Sequence, residues 1–208
     1  MKNFPNATLR RYPVYLKALR KLKEDGVERI MSSELAKYVD IKSTTIRRDF
    51  SLIGSLGKQG YGYDVNRLIE IFSEELGVDY DEKIILIGVG RLGRAILNYN
   101  RWNHVAGEIV CAFDLKPEHV LKKEEVPVPV FSIGTLKENF PEGCRIAILC
   151  IPGGAQAIVN QLKDLGIKGV INFTREHFIL PDGMLVKNVD VVSMIQEIVF
   201  EVNALDNK

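Results

Sequence analysis

A short glycine-rich segment, Gly88-Val89-Gly90-Arg91-Leu92-Gly93, follows directly on the apolar run Ile84–Ile87. Its first glycine permits a tight turn, its second lets the backbone approach a pyrophosphate, and its third lets a following helix pack closely on the strand. Phosphate groups bind well to the free N–H groups at the start of such a helix. The segment therefore predicts a phosphate-binding turn, whose candidate dinucleotide ligands are Gly88, Val89, Gly90, Arg91, Leu92 and Gly93.

A carboxylate follows the glycine-rich segment at the spacing expected for the residue that binds the adenosine ribose of a dinucleotide. Asp114 ends a second apolar run, Ile109–Phe113, twenty-one residues after Gly93. There it would accept hydrogen bonds from both hydroxyls of the adenosine ribose and repel a 2′-phosphate, which favours NAD(H) over NADP(H). Lys116 is a nearby candidate ligand. It is a mild argument for NADP(H), because its positive charge would attract a 2′-phosphate.

The turn Pro152-Gly153-Gly154 follows another apolar run and opens a further predicted helix. Turns at the carboxyl ends of parallel strands line the ligand crevice of an open α/β sheet. Pro152 and Gly153 are therefore candidates to border the nicotinamide half of the cofactor, although an ordinary strand-to-helix turn fits them as well. For the whole domain, a nucleotide-free fold and a fold that holds coenzyme A both stay open.

A short basic helix near residue 47 is typical of DNA-reading proteins. Ser43 can cap a helix over Thr44–Ser51 that buries Ile46 and Phe50. Small hydroxyl groups at its start and paired arginines suit phosphates and guanine edges in the major groove. Its candidate DNA contacts are Ser43, Thr44, Thr45, Arg47, Arg48 and Ser51.

The glycine-rich, basic and aromatic stretch 54–63 follows this helix and predicts the hairpin wing of a winged-helix domain, with Lys58 at its tip. Lys58, Gly60 and Tyr61 are its candidate DNA contacts. Residues 1–60 carry thirteen Lys and Arg against six Asp and Glu, a net charge of +7, whereas the whole chain carries only +1. A basic N-terminal segment favours a polyanionic partner such as DNA. The same excess charge would also be found in a three-helix domain whose surface happens to be basic.

Local signals bound the other N-terminal elements. Pro13 suits the first turn of a helix that Gly26 ends, with Val14, Tyr15, Ala18, Leu19 and Leu22 as its apolar stripe. The run 29–31 predicts a short strand, Ser32-Ser33 can cap a second helix, and Asp64 can cap a helix that Gly77 ends. The stretch 78–82 is the natural domain boundary.

From Lys83 onward, apolar runs alternate with helical patterns, which predicts a doubly wound, mainly parallel α/β sheet. The predicted strands are Ile84–Ile87, Ile109–Phe113, Ile146–Ile151 and Val170–Phe173. The first helix of this domain should present Leu92, Ala95, Ile96 and Tyr99 on one face, and another should span Gly154–Leu165. The predicted division is a winged-helix DNA-binding domain at 1–78, a Rossmann NAD(H)-binding domain at 79–190 and a dimerisation helix at 191–208.

The C-terminal segment Val191–Leu205 has ten apolar residues in fifteen. Most of them span a broad arc of a helical wheel, and Phe200 and Ala204 fall on the opposite side. So much apolar surface favours a helix exchanged between the subunits of a symmetric dimer, although simple docking on its own domain also fits.

Several classes of protein are disfavoured. The chain has no leader-like start and no run of eighteen apolar residues, so we expect a cytoplasmic protein without membrane contact. Cys111, Cys144 and Cys150 lack metal-ligand spacing and are expected to be reduced core thiols. Neither a metal site nor a catalytic residue is predicted, because nothing pairs His104, His119 or His177 with a substrate pocket.

Taken together, these segments resemble the Rex family of redox-sensing repressors over residues 7–205. The resemblance rests on Arg11–Leu16, Thr45–Ser51, Gly57–Tyr63, Gly88–Gly93, Leu97–Asn100, Ala112–Asp114, Gly166–Gly169 and Ile171–Phe173. It implies a homodimer that binds palindromic operator DNA when NADH is scarce and releases it when NADH accumulates.

The resemblance also implies an NADH-linked switch in which Arg11, Tyr99 and Asp190 exchange partners across subunits. This sequence departs from the family near the nicotinamide pocket and the last helix. Arg175 replaces a usual proline, Gly153-Gly154 replaces Ala-Glu or Ala-Val, and Met194 replaces a common glutamate. Two other functions stay open, an NAD(H)-dependent oxidoreductase with a basic head and a coenzyme A-binding regulator.

Overall fold

Four helices and a small antiparallel sheet form the N-terminal unit of the computed structural model. The structure describes residues 4–54, 56–58, 60–76, 82–98, 107–121 and 126–206, and the chain divides into compact units at 1–79 and 80–208. The N-terminal elements are α1 (Asn6–Glu24), β1 (Arg29–Ile30), α2 (Ser32–Val39), α3 (Ser43–Ile53), β2 (Gly57–Lys58), β3 (Gly62–Asp64) and α4 (Val65–Leu76). The sheet order is β1-β3-β2, so the hairpin after α3 is the wing of a winged helix.

An aromatic cluster holds these helices together. Tyr12 and Tyr15 of α1, Phe50 of α3 and Phe72 of α4 have at most 1% of their surface exposed. Their ring centroids lie 5.0–6.0 Å apart, mostly edge to face. Such pairs add about 0.5–1.5 kcal/mol each beyond area burial. The cluster therefore fixes α3, the candidate recognition helix, on α1 and α4.

The predicted start of α1 is wrong. The helix begins at Asn6, so Pro13 lies inside it, where its missing N–H leaves one carbonyl of the preceding turn without its helical donor. Pro13 and Val14 face solvent, which removes Val14 from the predicted apolar stripe. Because Tyr12, Tyr15 and the leucines that follow are buried, packing outweighs the proline. Gly26 ends the helix as predicted, in the left-handed region at φ +78°.

Two predicted serine caps are also wrong. Helices α2 and α3 have Met31 and Lys42 at their N-caps, and Ser32, Ser33 and Ser43 lie inside the helices. In α2 the Glu34 carboxylate accepts a hydrogen bond from the Met31 N–H at 2.8 Å, so an acid three residues on satisfies the helix start. By contrast, Asp64 caps α4 as predicted, because its Oδ1 accepts from the Arg67 N–H at 2.9 Å.

A six-stranded parallel sheet forms the second unit, with the order β6-β5-β4-β7-β8-β9. Its elements are β4 (Lys83–Ile87), α5 (Arg91–Asn98), β5 (Glu108–Asp114), α6 (Pro117–Leu121), β6 (Val130–Ser132), β7 (Ile146–Leu149), α7 (Ala155–Asp164), β8 (Gly169–Asn172), β9 (Leu185–Asn188) and α8 (Val191–Asp206). This is the strand order of a dinucleotide-binding Rossmann fold, which confirms the predicted fold class. Strand order reverses between β4 and β7, and ligands bind such sheets at that point.

The sequence missed the two edge strands, β6 and β9. Both are short and have no buried apolar run, so period and composition do not mark them. The strand predicted to reach Ile151 ends at Leu149, because the chain turns toward α7 there. In α5 the buried residues are Gly93, Ile96 and Leu97. The predicted face is therefore wrong for Leu92 and Ala95, which are exposed, and Tyr99 lies outside the described residues.

Helix α8 is apolar and yet faces solvent. Every side chain from Val191 to Leu205 is exposed, and that of Phe200 is 76% exposed. Within this chain the helix therefore does not bury its apolar surface, which argues against docking on its own domain. In the part of the chain that the structure describes, no helix is both long and apolar enough to cross a membrane.

Candidate nucleotide pocket and DNA-binding surface

A cavity of about 550 Å³ opens at the carboxyl ends of β4, β5 and β7. It lies at the point where strand order reverses, the expected place for a ligand. Its wall contains six predicted cofactor ligands, which are Gly88, Gly90, Asp114, Lys116, Pro152 and Gly153. The rest of the wall is mainly apolar and includes Ile133, Ile151 and Ile158.

The three glycines of the turn have different roles. Gly88 has φ +94°, and a Cβ on it would lie 2.8 Å from the Cys150 carbonyl oxygen. A Cβ on Gly93 would collide with the Gly88 carbonyl oxygen. A Cβ on Gly90 would meet no protein atom within 4 Å, although this residue lines the cavity. Gly88 and Gly93 are therefore required by the fold, whereas Gly90 leaves open the space that a phosphate would fill.

The start of α5 suits an anion. The Arg94 N–H donates to the Gly90 carbonyl at 3.0 Å. The N–H groups just before Arg94 belong to the first turn of the helix, where the backbone offers them no helical acceptor. These unpaired donors and the helix dipole favour negative charge. Arg91 and Leu92 are exposed there, and Val89 is buried. The turn and the helix start therefore fit the pyrophosphate of a dinucleotide.

Asp114 is held in place at the end of β5. Its carboxylate accepts hydrogen bonds from the Val89 N–H at 2.7 Å and the Lys116 N–H at 2.9 Å. A carboxylate has about four acceptor positions, so about two remain for ribose hydroxyls. The glycine turn and the carboxylate orient each other, and the side chain of Lys116 stays exposed.

A second carboxylate lies behind the wall of the cavity at the start of α7. Glu176 accepts hydrogen bonds from the N–H groups of Gly154 and Ala155 at the start of α7, at 3.0 and 2.7 Å. Sequence reasoning missed it, because twenty-one residues separate Glu176 from Ala155. In the same wall, burial raises the pKa of Cys150 to about 11, which makes this thiol a poor nucleophile.

The exposed face of α3 carries the predicted DNA contacts. Thr44, Arg47, Arg48 and Ser51 are exposed and Thr45 is half-buried, while Ile46 and Phe50 lie in the core as predicted. The guanidinium of Arg47 donates to Ser32 Oγ at 3.0 Å. The structure gives the Arg48 side chain no partner within the described residues, so Arg48 is the freer of the two arginines for DNA.

The wing is held by an arginine that sequence reasoning did not assign to it. The Arg29 guanidinium lies 5.2 Å from the Tyr61 ring centroid and donates to the Tyr61 carbonyl at 3.1 Å. Tyr61 itself is 70% exposed, and Gly60 adopts φ +80° at the turn. Lys58 ends β2 opposite Gly62, so it lies beside the tip of the hairpin instead of at it. This exposed cation–aromatic pair extends the basic surface.

Asp49 is a buried acceptor in the N-terminal unit that sequence reasoning missed. Its side chain is only 2% exposed and accepts hydrogen bonds from Thr8 at 3.1 Å, from Tyr15 at 2.6 Å and from Arg11 at 2.6 and 2.7 Å. Burial alone would raise the pKa of Asp49, but hydrogen bonds from Arg11 and Tyr15 outweigh it and lower the pKa. The network ties α3, the candidate recognition helix, to α1.

The three predicted switch residues have separate positions. Arg11 pairs with Asp49 inside its own unit. Asp190 caps α8, because its Oδ1 accepts from the Val192 and Ser193 N–H groups at 3.0 and 3.2 Å. The Ser193 hydroxyl also donates to Asp190 and lowers its pKa. Tyr99 lies outside the described residues, and the exchange of partners across subunits stays a prediction.

Groups that could support other chemistry do not converge in the described part of the chain. There, no cluster of three or more His, Cys, Asp and Glu could hold a metal ion. His119 and His177 are exposed, and His104 lies outside the described residues. Cys111 and Cys144 are buried free thiols as predicted, and burial raises the pKa of Cys111 to about 12.

Two parts of the chain match known protein families. Residues 3–51 match a family model described as "Putative DNA-binding protein N-terminus", and residues 79–176 match one described as "CoA binding domain". The redox-sensing transcriptional repressor Rex of Oenococcus oeni is 39% identical, over 98% of this chain and 95% of its own length. Rex of Lactobacillus gasseri is 42% identical, over 94% and 92% of the two chains.

Solved structures lead to the same family. The repressor RSP in complex with β-NAD⁺ and operator DNA matches with a TM-score of 0.86 and 31% identity, over 99% of this chain and 95% of its own. RSP in complex with β-NADH matches with a TM-score of 0.83 and 29% identity, over 99% and 97%. With its winged helix, its Rossmann pocket and relatives that align over almost its whole length, this chain belongs to the Rex family of redox-sensing transcriptional repressors.

Proposed function

We propose that this chain is a homodimeric repressor that binds palindromic operator DNA when NADH is scarce and releases it when NADH binds. One observation carries the proposal: Gly90 leaves space for a pyrophosphate in the same cavity that Asp114 lines, in a chain whose other unit is a winged helix. RSP, which has the same fold, has been solved with NAD⁺ and operator DNA and with NADH. Such a protein works in the cytoplasm, where both DNA and the NAD(H) pool are found.

The proposed sensing chemistry resides at the nicotinamide end of the pocket. NAD⁺ and NADH share their adenosine and pyrophosphate, so the glycine turn and Asp114 contact both alike. They differ by one positive charge and by ring planarity. An apolar wall such as Ile151, Pro152 and Ile158 disfavours the cationic ring, because a buried charge loses its hydration. NADH shifts the conformation only by its difference in affinity for the DNA-binding and released states.

A second copy of the chain is the proposed partner of α8. Its exposed apolar residues, with Phe200 76% exposed, would be buried if two copies exchanged this helix. A two-fold dimer presents two winged helices to the two half-sites of a palindrome. Closure on NADH would then change their spacing and misalign them with successive major grooves.

In the proposed switch, Arg11, Tyr99 and Asp190 form state-dependent contacts across the dimer. The observed Arg11–Asp49 pair adds a condition, since Arg11 would have to leave or share Asp49 to reach a partner's carboxylate. A contact made in only one state supplies coupling energy, typically about 1–3 kcal/mol.

Operator titration tests the proposal directly. The protein is titrated against a pool of random palindromes, and the selected operator is then titrated in parallel with NADH and NAD⁺. We expect NADH to release the DNA at lower concentration than NAD⁺. A protein that selects no DNA, or whose operator affinity ignores both nucleotides, would contradict it.

The Asp114→Ala variant should bind NADH more weakly and tolerate NADPH better. The change removes the ribose acceptor and the charge that repels a 2′-phosphate. Calorimetric titration with NADH and NADPH gives the ratio of the two affinities. Equal loss for both nucleotides would show that Asp114 only supports the Val89 turn.

Two basic residues should differ in how they bind DNA. Lys58→Ala, on the wing, should lower the slope of log affinity against log salt by about one unit, as expected for one lost phosphate contact. Arg48→Ala should cost about 1–3 kcal/mol and relax the preference at one base pair. Lys168→Ala, an exposed cation at the amino end of the parallel sheet, is the matched control and should change neither quantity. Unaltered specificity in Arg48→Ala would remove Arg48 from base reading.

A coenzyme A-responsive regulator is the second candidate, because the model that matches residues 79–176 is described as a CoA binding domain. Coenzyme A lacks the second nucleoside that would reach the β7 side of the cavity. Competition separates the two ligands: unlabelled coenzyme A should not displace NADH at comparable concentration if the pocket is built for a dinucleotide.

A further inference from the structure

We infer that the carboxylate of Glu176 tunes the redox selectivity of the pocket by favouring NAD⁺ and so narrowing its preference for NADH. The inference rests on the proposed function, since it concerns the nicotinamide end of the same cavity. Glu176 would thus help to set the ratio of the affinities for NADH and NAD⁺.

The carboxylate does not line the cavity itself but contacts residues that form its wall. Its oxygens accept the N–H groups of Gly154 and Ala155, and Gly153 and Gly154 both line the cavity. A Cβ on Gly153 would lie 3.3 Å from Glu176 Oε1. Glycine at 153 therefore leaves little but backbone between the charge and the cavity.

The loop that carries Glu176 is held firmly. The Glu176 N–H donates to Thr174 Oγ1 at 3.2 Å, and the Asn172 amide donates to the Glu176 carbonyl at 3.4 Å. Asn172 is only 4% exposed and also donates to Asn188 Oδ1 at 2.9 Å. Because the backbone is tied here and the carboxylate also accepts from Gly154 and Ala155, the charge is held in one place.

Glu176 lies on the side of the cavity where the nicotinamide end of a bound dinucleotide would be. Asp114 marks the ribose side at β5 and Gly90 the pyrophosphate at β4, so the other end of a dinucleotide lies toward β7 and the start of α7. Without Glu176, the positive end of the α7 dipole would face that ring and oppose NAD⁺. The carboxylate cancels this effect and adds attraction for a cation.

No other charge is seen to neutralise Glu176 directly. Among the residues that the structure describes, no cation forms an ion pair with it, and neighbouring Arg175 is exposed. The apolar wall and the carboxylate therefore act in opposite directions on the ring. The apolar wall favours NADH, and Glu176 limits how strongly.

The test compares Glu176→Gln with wild type by calorimetric titration of NADH, NAD⁺ and ADP-ribose, which lacks the nicotinamide. We expect NAD⁺ to bind about three- to tenfold more weakly in the variant, with NADH and ADP-ribose within about twofold, as for one partly screened charge. Glu108→Gln, which removes an exposed carboxylate at the amino end of β5, is the control and should leave all three affinities unchanged.

The possible results separate the two proposals. Equal weakening of all three ligands, or no change in NAD⁺, would overturn the role of Glu176 and leave NADH sensing intact. If wild type binds none of the three, the proposed function itself fails. Wild-type titrations at low and high salt provide a check that needs no variant, since salt should lower the affinity for NAD⁺ more than that for NADH. An unchanged ratio would also count against Glu176.

Discussion

Gly90→Val should weaken NADH binding by about a hundredfold or more while the chain stays folded. Its side chain would enter open space, because a Cβ at Gly90 has no protein atom within 4 Å and the backbone is not in the left-handed region. The added methyl groups would occupy the place where a pyrophosphate must approach the turn. Calorimetry with NADH measures the loss, and a thermal melt checks the fold.

Two other glycines provide contrasts for this prediction. Gly169→Val, at the amino end of β8, adds the same bulk at the opposite edge of the sheet and should keep NADH affinity. Gly93→Ala should instead lower the melting temperature, because its Cβ would collide with the Gly88 carbonyl. In Gly90→Val, operator binding without nucleotide should persist, and NADH should no longer release the DNA. Normal NADH binding by this variant would show that the turn does not hold the pyrophosphate.

Asp49→Ala should destabilise the N-terminal unit by about 3–5 kcal/mol, the usual cost of breaking a buried ion pair by removing one partner. The change leaves the guanidinium of Arg11 and the hydroxyls of Thr8 and Tyr15 without their shared acceptor. Operator affinity should fall with it, since the network holds α3 on α1. Denaturant unfolding of the full chain, followed by circular dichroism, measures the change in free energy.

The dependence of stability on acidic pH should test the same Asp49 network. Because the pKa of Asp49 is lowered in the folded state, its contribution to stability is complete above its unfolded pKa of about 3.9. That contribution is lost as pH falls through the lower folded pKa. Asp49→Asn should therefore show a flatter loss of stability than wild type below about pH 4. Asp25→Ala removes an exposed partner of Lys21 and should behave like wild type. An equally steep acid loss in Asp49→Asn would exclude the carboxylate as its source.

Local pattern was enough to predict the parts of this protein that local chemistry dictates. The turn Gly88–Gly93 follows its strand as predicted, and Asp114 stands at the end of the next one in the same cavity. Buried Ile46 and Phe50 set which side of α3 faces outward. Each of these depends on residues within a few turns or on the alternation of strand and helix. Helix starts were less predictable, because packing outweighed Pro13 and a neighbouring glutamate replaced the serine cap of α2.

Only the tertiary structure brings distant partners together. Arg11 meets Asp49 across thirty-eight residues, and Glu176 reaches Ala155 across twenty-one. Nothing in the spacing of these residues marks them, because a hydrogen bond between elements depends on how the helices and strands pack. The same packing decided that the short edge strands β6 and β9 join the sheet. The sequence by itself thus determined the fold and the glycine turn, while the contacts of Asp49 with Arg11 and of Glu176 with the start of α7 became visible only once the chain was folded.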